Sequence, residues 1–344
     1  MKNRLLVICP ISGPPNGVKV ISEFLLDELS ESFDIDLIDT AQAKEFNDFG
    51  KFSFKKIFDV LFIAIKLLFL KEAKKVYINL SVKGFSLYRD IFFISILLLR
   101  KSNITSHIHA NGLEKISNNF VRKIINKTKL IVINEKQQEE LKNYKKIFLV
   151  YNSLPDYYKG KLIKNRNNKL RILYFSNISK EKGSLRLKEF CNQAKELEHK
   201  IEIIICGGIL DEFSQNIIEE LRLFNFVKIL DPIFETSKKM DLFRKSDLFI
   251  FLSNENYEVF PLVYLEAMMN GLPILTTKQI VSHKVIQNNN GKEYKQETNM
   301  MYVKTLLEAN ELKLQQDNAR IHYENFANFN NFCNQVIKII NVNR

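Results

Sequence analysis

The stretch DLFIFLSNENYEVFPLVYLEAMMNGLPILTT, residues 247–277, decides the fold of this chain. An apolar run of strand length, residues 248–252, is followed by a polar segment. Pro261 then opens a helix-like run that ends at Asn270 and Gly271, and a second apolar strand follows. Proline suits the first helical turn and glycine suits the position just past the last one. The pattern therefore predicts strand, loop, helix and strand, a unit in which a ligand binds outside the carboxyl end of the first strand.

Two carboxylates frame that predicted ligand position, because Glu258 lies in the loop and Glu266 lies eight residues later in the helix. Backbone N–H groups around Phe260, Leu262 and Val263, at the helix N-terminus, would suit a phosphate. A carboxylate can accept hydrogen bonds from the two hydroxyls of a ribose. The alternative is that Glu258 only favours the helix dipole and Glu266 is a solvated helix residue.

The longer string EVFPLVYLEAMMNGLPI, residues 258–274, favours a ligand-binding role for the two carboxylates. It resembles the donor-binding signature E-x-F-[GP]-L-x-x-L-E-A-M-A-x-G-x-P-V of retaining glycosyltransferases with two Rossmann-like domains, the GT-B type, and in particular of family 4. Met269 stands where the signature has alanine. The resemblance implies that Glu266 holds the ribose of a nucleotide sugar and that Glu258 contacts the donor sugar and steadies positive charge at its anomeric carbon.

Composition indicates a globular chain with an anionic partner. With 344 residues, 46% of them hydrophobic, the chain can form two domains of ordinary size. A net charge of +12 suits nucleotide phosphates, an acidic lipid surface or nucleic acid. A nucleic-acid partner is not predicted, because no basic groove with stacking aromatic residues can be localised. The cysteines are scattered without metal-site spacing, which indicates a reduced, cytoplasmic chain and no metal site: Cys9, Cys191, Cys206 and Cys333.

The segment 51–75 combines a long apolar face, rich in phenylalanine, with seven lysines. The longest apolar runs, 60–70 and 91–99, fall short of the roughly 20 residues that cross a bilayer, and no export signal is apparent. A basic amphipathic helix can lie on an anionic membrane, so a peripheral position on the inner face of the cytoplasmic membrane is predicted. The alternative is that the helix packs on the sheet and its lysines are solvated.

Two elements of the first half resemble family segments that border the active site. Gly17 follows the first strand, residues 4–9, in a loop where the family has a Gly-Gly pair, although Asn16 replaces the first glycine. His107 and His109 lie on one face of a strand predicted at 105–110 and resemble the family's H-[LI]-H-G element. The resemblance implies that His109 contacts the donor sugar or the acceptor and that His107 supports it. For both histidines, a core position with satisfied hydrogen bonds is the alternative.

The second half begins with a strand at 171–175 and a turn that resembles the family's G-R-L-x-x-x-K-G, whose arginine and lysine bind the donor diphosphate. Lys182 and Gly183 match this turn, whereas Asn177 replaces the arginine and lacks its charged fork. Lys180 or another cation would have to compensate. Gly208 stands at the end of the strand 202–206, where the family has a glycine-rich turn beside the nucleotide.

Alternating strands and helices in two successive halves predict an α/β protein with two Rossmann-like parallel-sheet domains facing across a cleft. The expected domains are 1–160 on the acceptor side and 161–325 on the donor side. The basic, polar segment 159–169 is the predicted linker, and a final helix in 326–344 is expected to pack back on the first domain.

The resemblance implies a hexosyltransferase-type enzyme that needs no metal or other cofactor. It would move a sugar from a UDP- or GDP-type nucleotide sugar to a lipid-linked glycan in bacterial O-antigen, capsule or lipopolysaccharide synthesis. Two alternatives remain open. One is a nucleotide-sugar 2-epimerase of the same architecture, and the other is a non-catalytic protein that only binds sugar nucleotides.

Overall fold

A computed structural model of the protein describes residues 2–13, 16–41, 54–70, 74–157 and 169–343. The chain divides into two compact units, one made of Met1–Ser153 with Phe329–Arg344 and the other of Leu154–Asn328. Each unit is built on one six-stranded parallel sheet with helices, so the predicted α/β class is confirmed. The predicted linker, 159–169, lies outside the described residues except for Lys169.

The sheet of the first unit consists of strands that are largely apolar, as expected when helices cover both faces of a parallel sheet. Its strand order is β2-β1-β3-β4-β5-β6, where the elements in chain order are β1 (Asn3–Cys9), α1 (Gly17–Ser32), β2 (Phe33–Asp39), α2 (Phe54–Phe69), β3 (Lys75–Asn79), α3 (Gly84–Leu99), β4 (Asn103–His107), α4 (Asn119–Ile125), β5 (Lys129–Val132), α5 (Glu135–Glu140) and β6 (Ile147–Leu149).

The second unit repeats this plan with the order β12-β11-β10-β7-β8-β9. The chain order reverses between β7 and β10, and such a reversal places a ligand crevice at the carboxyl ends of the two strands. The elements are β7 (Leu170–Phe175), α6 (Ser184–Gln193), β8 (Ile201–Cys206), α7 (Glu212–Leu221), β9 (Val227–Leu230), α8 (Thr236–Arg244), β10 (Leu248–Phe251), α9 (Leu262–Met269), β11 (Ile274–Thr276), α10 (Ser282–Val285), β12 (Gly291–Glu293), α11 (Asn299–Thr305) and α12 (Ala309–Phe326).

The last helix, α13 (Phe329–Asn341), packs on the sheet of the first unit. The buried ammonium of Lys129 donates to the carbonyls of Ile339 at 2.6 Å and Ile340 at 2.9 Å, at the end of this helix. A cation suits a helix C-terminus, where carbonyl groups lack intrahelical partners. Burial, together with the neighbouring Lys146 and Lys75, lowers the pKa of Lys129 to about 8.

The bounds predicted for one strand were wrong, because the strand predicted at 105–110 begins at Asn103 and ends at His107. The apolar run 91–99 is part of a longer helix, α3, which begins at Gly84. The side chains of Arg89 and Asp90, both in α3, are buried and form an ion pair of 2.7 Å. Lys75, one of the seven lysines of the segment 51–75, is the first residue of β3 and does not belong to α2. Its ammonium donates to the Asn341 side chain at 2.6 Å.

Candidate active site

The loop between β7 and α6 carries Lys182 and Gly183 and lies against the end of β10. Gly183 has a φ of +83°, and a Cβ there would lie 1.9 Å from the carbonyl oxygen of Leu252. Only glycine tolerates both the left-handed backbone and this close approach. The Tyr174 hydroxyl donates to the Lys182 carbonyl at 3.0 Å. The backbone of Lys182 is therefore fixed beside the carboxyl end of β10.

The side chain of Lys182 reaches the loop between β10 and α9, where its ammonium forms an ion pair with the carboxylate of Glu258. Both side chains are about one fifth exposed, at 23% and 22%. The ammonium also lies 5.6 Å from the ring centroid of Tyr257, within cation–π range. The structure thus brings together the predicted phosphate lysine and the predicted catalytic carboxylate, which sequence reasoning placed in separate motifs.

Gln279, which sequence reasoning missed, fixes the loop that carries Glu258. Its buried side-chain amide donates to the carbonyls of Ser253 at 3.1 Å and Asn254 at 2.9 Å and to the Thr277 hydroxyl at 3.0 Å. Its side-chain oxygen accepts from the Glu258 N–H at 3.1 Å. One side chain therefore satisfies four backbone and hydroxyl groups of two neighbouring loops.

The helix α9 presents its N-terminus at the same edge of the sheet. Pro261 is the N-cap residue, Phe260 before it is buried, and Leu262 and Val263 form the first helical positions. Backbone N–H groups at the first positions of a helix have no intrahelical acceptor and carry partial positive charge. The Lys182 ammonium is paired with Glu258 in the loop that leads into α9. The helix N-terminus and this lysine together suit a phosphate.

Glu266 lies in the second turn of α9 and is buried, so the interpretation as a solvated helix residue was wrong. Its carboxylate pairs with the ammonium of Lys239, which lies in the first turn of α8. Lys239 was not predicted as a site residue. No motif in the sequence marks it, because the partner lies 27 positions away on another helix.

The turn after β8 lies against the turn after β7. A Cβ at Gly207 would lie 1.8 Å from the carbonyl oxygen of Ser176, so this glycine is required by the close approach of two backbones. A Cβ at Gly208, the predicted site glycine, would meet the Asn177 side chain at 3.5 Å and Pro232 at 3.6 Å. Asn177 is exposed and lies beside Gly208.

The predicted residues of the first unit lie at the carboxyl ends of its strands and at the start of α1. The His107 and His109 rings are 4.0 Å apart between centroids, and His107 Nδ1 is 2.7 Å from the Tyr77 hydroxyl. Burial lowers the pKa of His109 to about 4 and that of His107 well below its usual value, the latter also because of His109. Both are therefore neutral at pH 7.

Each of these imidazoles retains hydrogen-bonding capacity. Nε2 of His107 and Nε2 of His109 are buried with no hydrogen-bond partner within the described parts of the chain. The alternative for both histidines, a core position with satisfied hydrogen bonds, is therefore not supported by the described residues. Gly17 is exposed at the first position of α1, and Asn16, the N-cap, accepts from the Lys19 N–H at 3.0 Å. This cap explains physically why asparagine suits position 16.

The described residues also bear on whether the protein could hold a metal ion. Within the described ranges, no group of three or more His, Cys, Asp or Glu side chains is arranged to hold a metal ion. The cations of the second unit's site are instead lysines, and each of the two is paired with a glutamate.

Comparison with protein families identifies the chemistry of the second unit. Residues 159–323 match the family described as glycosyl transferases group 1. The protein is a glycosyltransferase. The match contains Lys182, Asn177, Gly208, Lys239 and the whole stretch from Glu258 to Glu266. No curated protein sequence matches this glycosyltransferase significantly.

Solved structures show that the glycosyltransferase has the GT-B fold. A glycosyltransferase from Rickettsia africae is 18% identical, with a TM-score of 0.74 and coverage of 98% of both chains. HepE from Anabaena, solved with UDP and glucose, is 17% identical, with a TM-score of 0.67 and coverage of 97% of this chain and 98% of its own. WaaG, a glycosyltransferase involved in lipopolysaccharide biosynthesis, is 15% identical, with a TM-score of 0.66 and coverage of 98% and 100%.

Proposed function

We propose that this glycosyltransferase is a retaining enzyme, similar to family 4, that uses a nucleotide-diphosphate sugar and needs no metal or other cofactor. The observation that carries the proposal is the pairing of two glutamates with two lysines around α9, Glu258 with Lys182 and Glu266 with Lys239. Both pairs belong to the region that matches the glycosyltransferase family.

The leaving group of such a reaction is a nucleoside diphosphate, whose negative charge grows as the bond to the sugar breaks. Lys182 and the first N–H groups of α9, at Leu262 and Val263, would neutralise this charge. Gly183 and Gly208, which have no side chains, would let the backbone approach the diphosphate closely. Donors placed in advance for the developing charge lower the barrier, since they need no reorganisation during the reaction. This arrangement supplies by lysine and backbone what a metal ion supplies in other enzymes.

The two carboxylates would contact different parts of the donor. Glu266 would accept the ribose hydroxyls, and Glu258 would contact the sugar and stabilise positive charge at the anomeric carbon. In the free protein Lys182 neutralises Glu258. A bound diphosphate competes for this ammonium, so donor binding would release the Glu258 carboxylate for the sugar. His109, neutral at pH 7, would donate or accept a hydrogen bond to the sugar or acceptor.

The nucleotide is proposed to be of the UDP or GDP type. HepE has been solved with UDP and with UDP-glucose, which favours a uridine nucleotide as the first candidate. The proposed acceptor is a lipid-linked glycan of O-antigen, capsule or lipopolysaccharide synthesis, and WaaG, which shares the fold, acts in lipopolysaccharide biosynthesis.

An apolar surface of the first unit supports a lipid-linked acceptor. The helix α2 buries only the narrow stripe of Val60, Ala64 and Leu67, while Phe62 and Phe69 are 72% and 80% exposed. The neighbouring α3 adds a second exposed stripe, so we define the α2/α3 face by its exposed apolar residues: Phe58, Leu61, Phe62, Ile65, Leu68, Phe69, Phe85, Tyr88, Phe92 and Leu99.

Large exposed apolar residues on two helices in contact with each other are typical of a membrane or protein contact. Exposed cations adjoin it, including Lys66 on α2 and Arg100, whose guanidinium donates to the Leu68 carbonyl. No described helix is long and apolar enough to cross a bilayer. We therefore place the enzyme peripherally on the anionic inner face of the cytoplasmic membrane, with the α2/α3 face inserted among the lipid headgroups.

Calorimetric titration tests the donor site. Wild-type protein is expected to bind one UDP- or GDP-type sugar saturably, and Lys182→Ala and Glu266→Ala are each expected to lose at least about tenfold in affinity, since a charge-assisted contact contributes about 1.5–3 kcal/mol. Lys188→Ala and Glu220→Ala, which break a surface ion pair of the same unit, serve as matched controls. Unchanged affinity in both site variants would contradict the site assignment.

A further inference from the structure

Lys239 and its neighbour Lys238 begin the same helix but face different surroundings. The Lys238 side chain is 71% exposed and pairs with Glu235 at 2.7 Å on the surface. The Lys239 side chain is only 20% exposed, and its ammonium contacts the Glu266 carboxylate, which is 9% exposed. The chain therefore offers an internal comparison between a surface lysine and one directed at the predicted ribose carboxylate.

The contact between Lys239 and Glu266 sits on a packed junction of α8 and α9. The Asn270 side chain donates to the Glu266 carbonyl at 2.8 Å and approaches the Met240 sulfur at 3.5 Å. Met240 follows Lys239 in α8 and is buried, as is Asn270. The junction therefore sets the backbone positions of both charged residues.

A carboxylate so little exposed is costly without a counter-charge, and the Lys239 ammonium supplies it. The same contact restricts the rotation of the carboxylate, because the ammonium is anchored to Oε1. A carboxylate has about four acceptor positions, so one ammonium leaves enough for two vicinal hydroxyls. Lys239 also lies in the first turn of α8, and because α8 follows β9, this turn lies at the carboxyl edge of the sheet.

We propose that Lys239 is a positioning residue of the nucleoside subsite, which holds Glu266 so that its carboxylate accepts both ribose hydroxyls. This inference rests on the proposed function, because it presumes that Glu266 binds the ribose of the donor. Lys239 lies outside every motif found in the sequence. If it positions Glu266, the selection of ribose over deoxyribose depends on a lysine in addition to Glu258 and Glu266.

The experiment compares UDP with 2′-deoxy-UDP by calorimetry, or the guanosine pair if the wild-type protein binds GDP. Wild-type protein is expected to bind the ribonucleotide at least about tenfold more tightly, which corresponds to about 1.4 kcal/mol. Lys239→Met is expected to reduce this ratio to about twofold or less. Lys239→Arg, which keeps the charge, should restore most of the ratio, and Lys238→Met should leave it at the wild-type value.

The outcomes separate this inference from the proposed function. If the wild-type protein binds no nucleotide diphosphate, the proposed function fails and the inference fails with it. If the wild-type protein selects the ribonucleotide and Lys239→Met selects it equally, only the inference is overturned. A wild-type protein that binds both nucleotides equally would also overturn it. Thermal melting of each variant identifies loss of fold, and Lys239→Gln then provides a second neutral replacement for the same ratio.

Discussion

At the scale of single residues, the site of the second unit is held in a neutralised state in the free protein. Lys182 and Lys239 each face a glutamate rather than solvent. Exposed ion pairs contribute little to stability, but pairs that are largely buried become important because removal of one partner leaves the other uncompensated. The pairs therefore keep four charged side chains in place until a charged ligand arrives.

Gln279 provides a test of how the position of Glu258 affects donor binding. Gln279→Leu removes an amide whose two N–H groups contact three acceptors and whose oxygen accepts from the Glu258 N–H, so the loop should lose its fixed position. We expect affinity for the nucleotide sugar to fall about tenfold while affinity for the nucleotide diphosphate changes little, because Glu258 is assigned to the sugar. The loss of one to two net hydrogen bonds should also destabilise the protein by about 1–3 kcal/mol.

The control for this prediction is Gln287→Leu, because Gln287 is exposed and donates only to the His283 carbonyl at 3.1 Å. Calorimetry with sugar nucleotide and nucleotide diphosphate on both variants gives the comparison. Equal losses for the two ligands in Gln279→Leu would show that Gln279 supports the fold of the site rather than the sugar contact.

The same residues show how much of the site could be predicted from the sequence. Lys182, Gly183, Glu258 and Glu266 belong to short motifs, so each could be found from local spacing. Gln279 and Lys239 could not, since Gln279 contacts Glu258 across two loops and Lys239 contacts Glu266 between two helices, and both contacts form only in the folded chain. The sequence contains the polar group in each case but no local feature that identifies its partner.

At the scale of elements, the α2/α3 face shows which large apolar residues of α2 and α3 the fold leaves exposed. The sequence of α2 indicated both interpretations, since a packed amphipathic helix and an interfacial one have the same periodicity. The structure separates buried positions from exposed ones, and most of the large apolar residues of α2 are exposed. The first part of the predicted segment, 51–53, and residues 71–73 lie outside the described residues.

Replacement of phenylalanines on the α2/α3 face tests the membrane contact. Phe62→Ser combined with Phe69→Ser should lower the partition of the protein onto vesicles of phosphatidylglycerol and phosphatidylethanolamine by about tenfold or more, since burial of each ring contributes about 1.5–3 kcal/mol. Flotation measures the bound fraction. Leu223→Ser combined with Met301→Ser, which changes two exposed apolar residues of the second unit, should bind vesicles like the wild-type protein. Equal flotation of both double variants would contradict the assignment of this face.

At the scale of the whole molecule, the fold class could be predicted because strands and helices alternate throughout the chain, and this pattern allows few architectures. Two six-stranded parallel sheets confirm it. The role of each site residue is harder to predict from the sequence. Asn177 lacks the charge of the arginine that the resemblance implies, and the lysines of the site come from separate elements, Lys182 from the loop after β7 and Lys239 from α8.

We propose that the enzyme cleaves a nucleotide sugar with retention at the site of Glu258. A GT-B fold at 15–18% identity establishes the architecture and leaves the stereochemistry to experiment. Hydrolysis of the donor without an acceptor is a useful readout, because it does not require the acceptor to be known. A 2-epimerase would instead release the 2-epimer of the donor sugar.

The most direct test is real-time proton NMR of donor hydrolysis by the wild-type protein, before the released sugar equilibrates between its anomers. With the α-linked nucleotide sugar that binds best in the calorimetric titrations, the α anomer is expected to appear first. Glu258→Gln should slow its release by about 10²–10³-fold, the loss typical of removing one group that stabilises developing charge. First appearance of the β anomer, or no hydrolysis of any nucleotide sugar that the protein binds, would contradict a retaining glycosyltransferase.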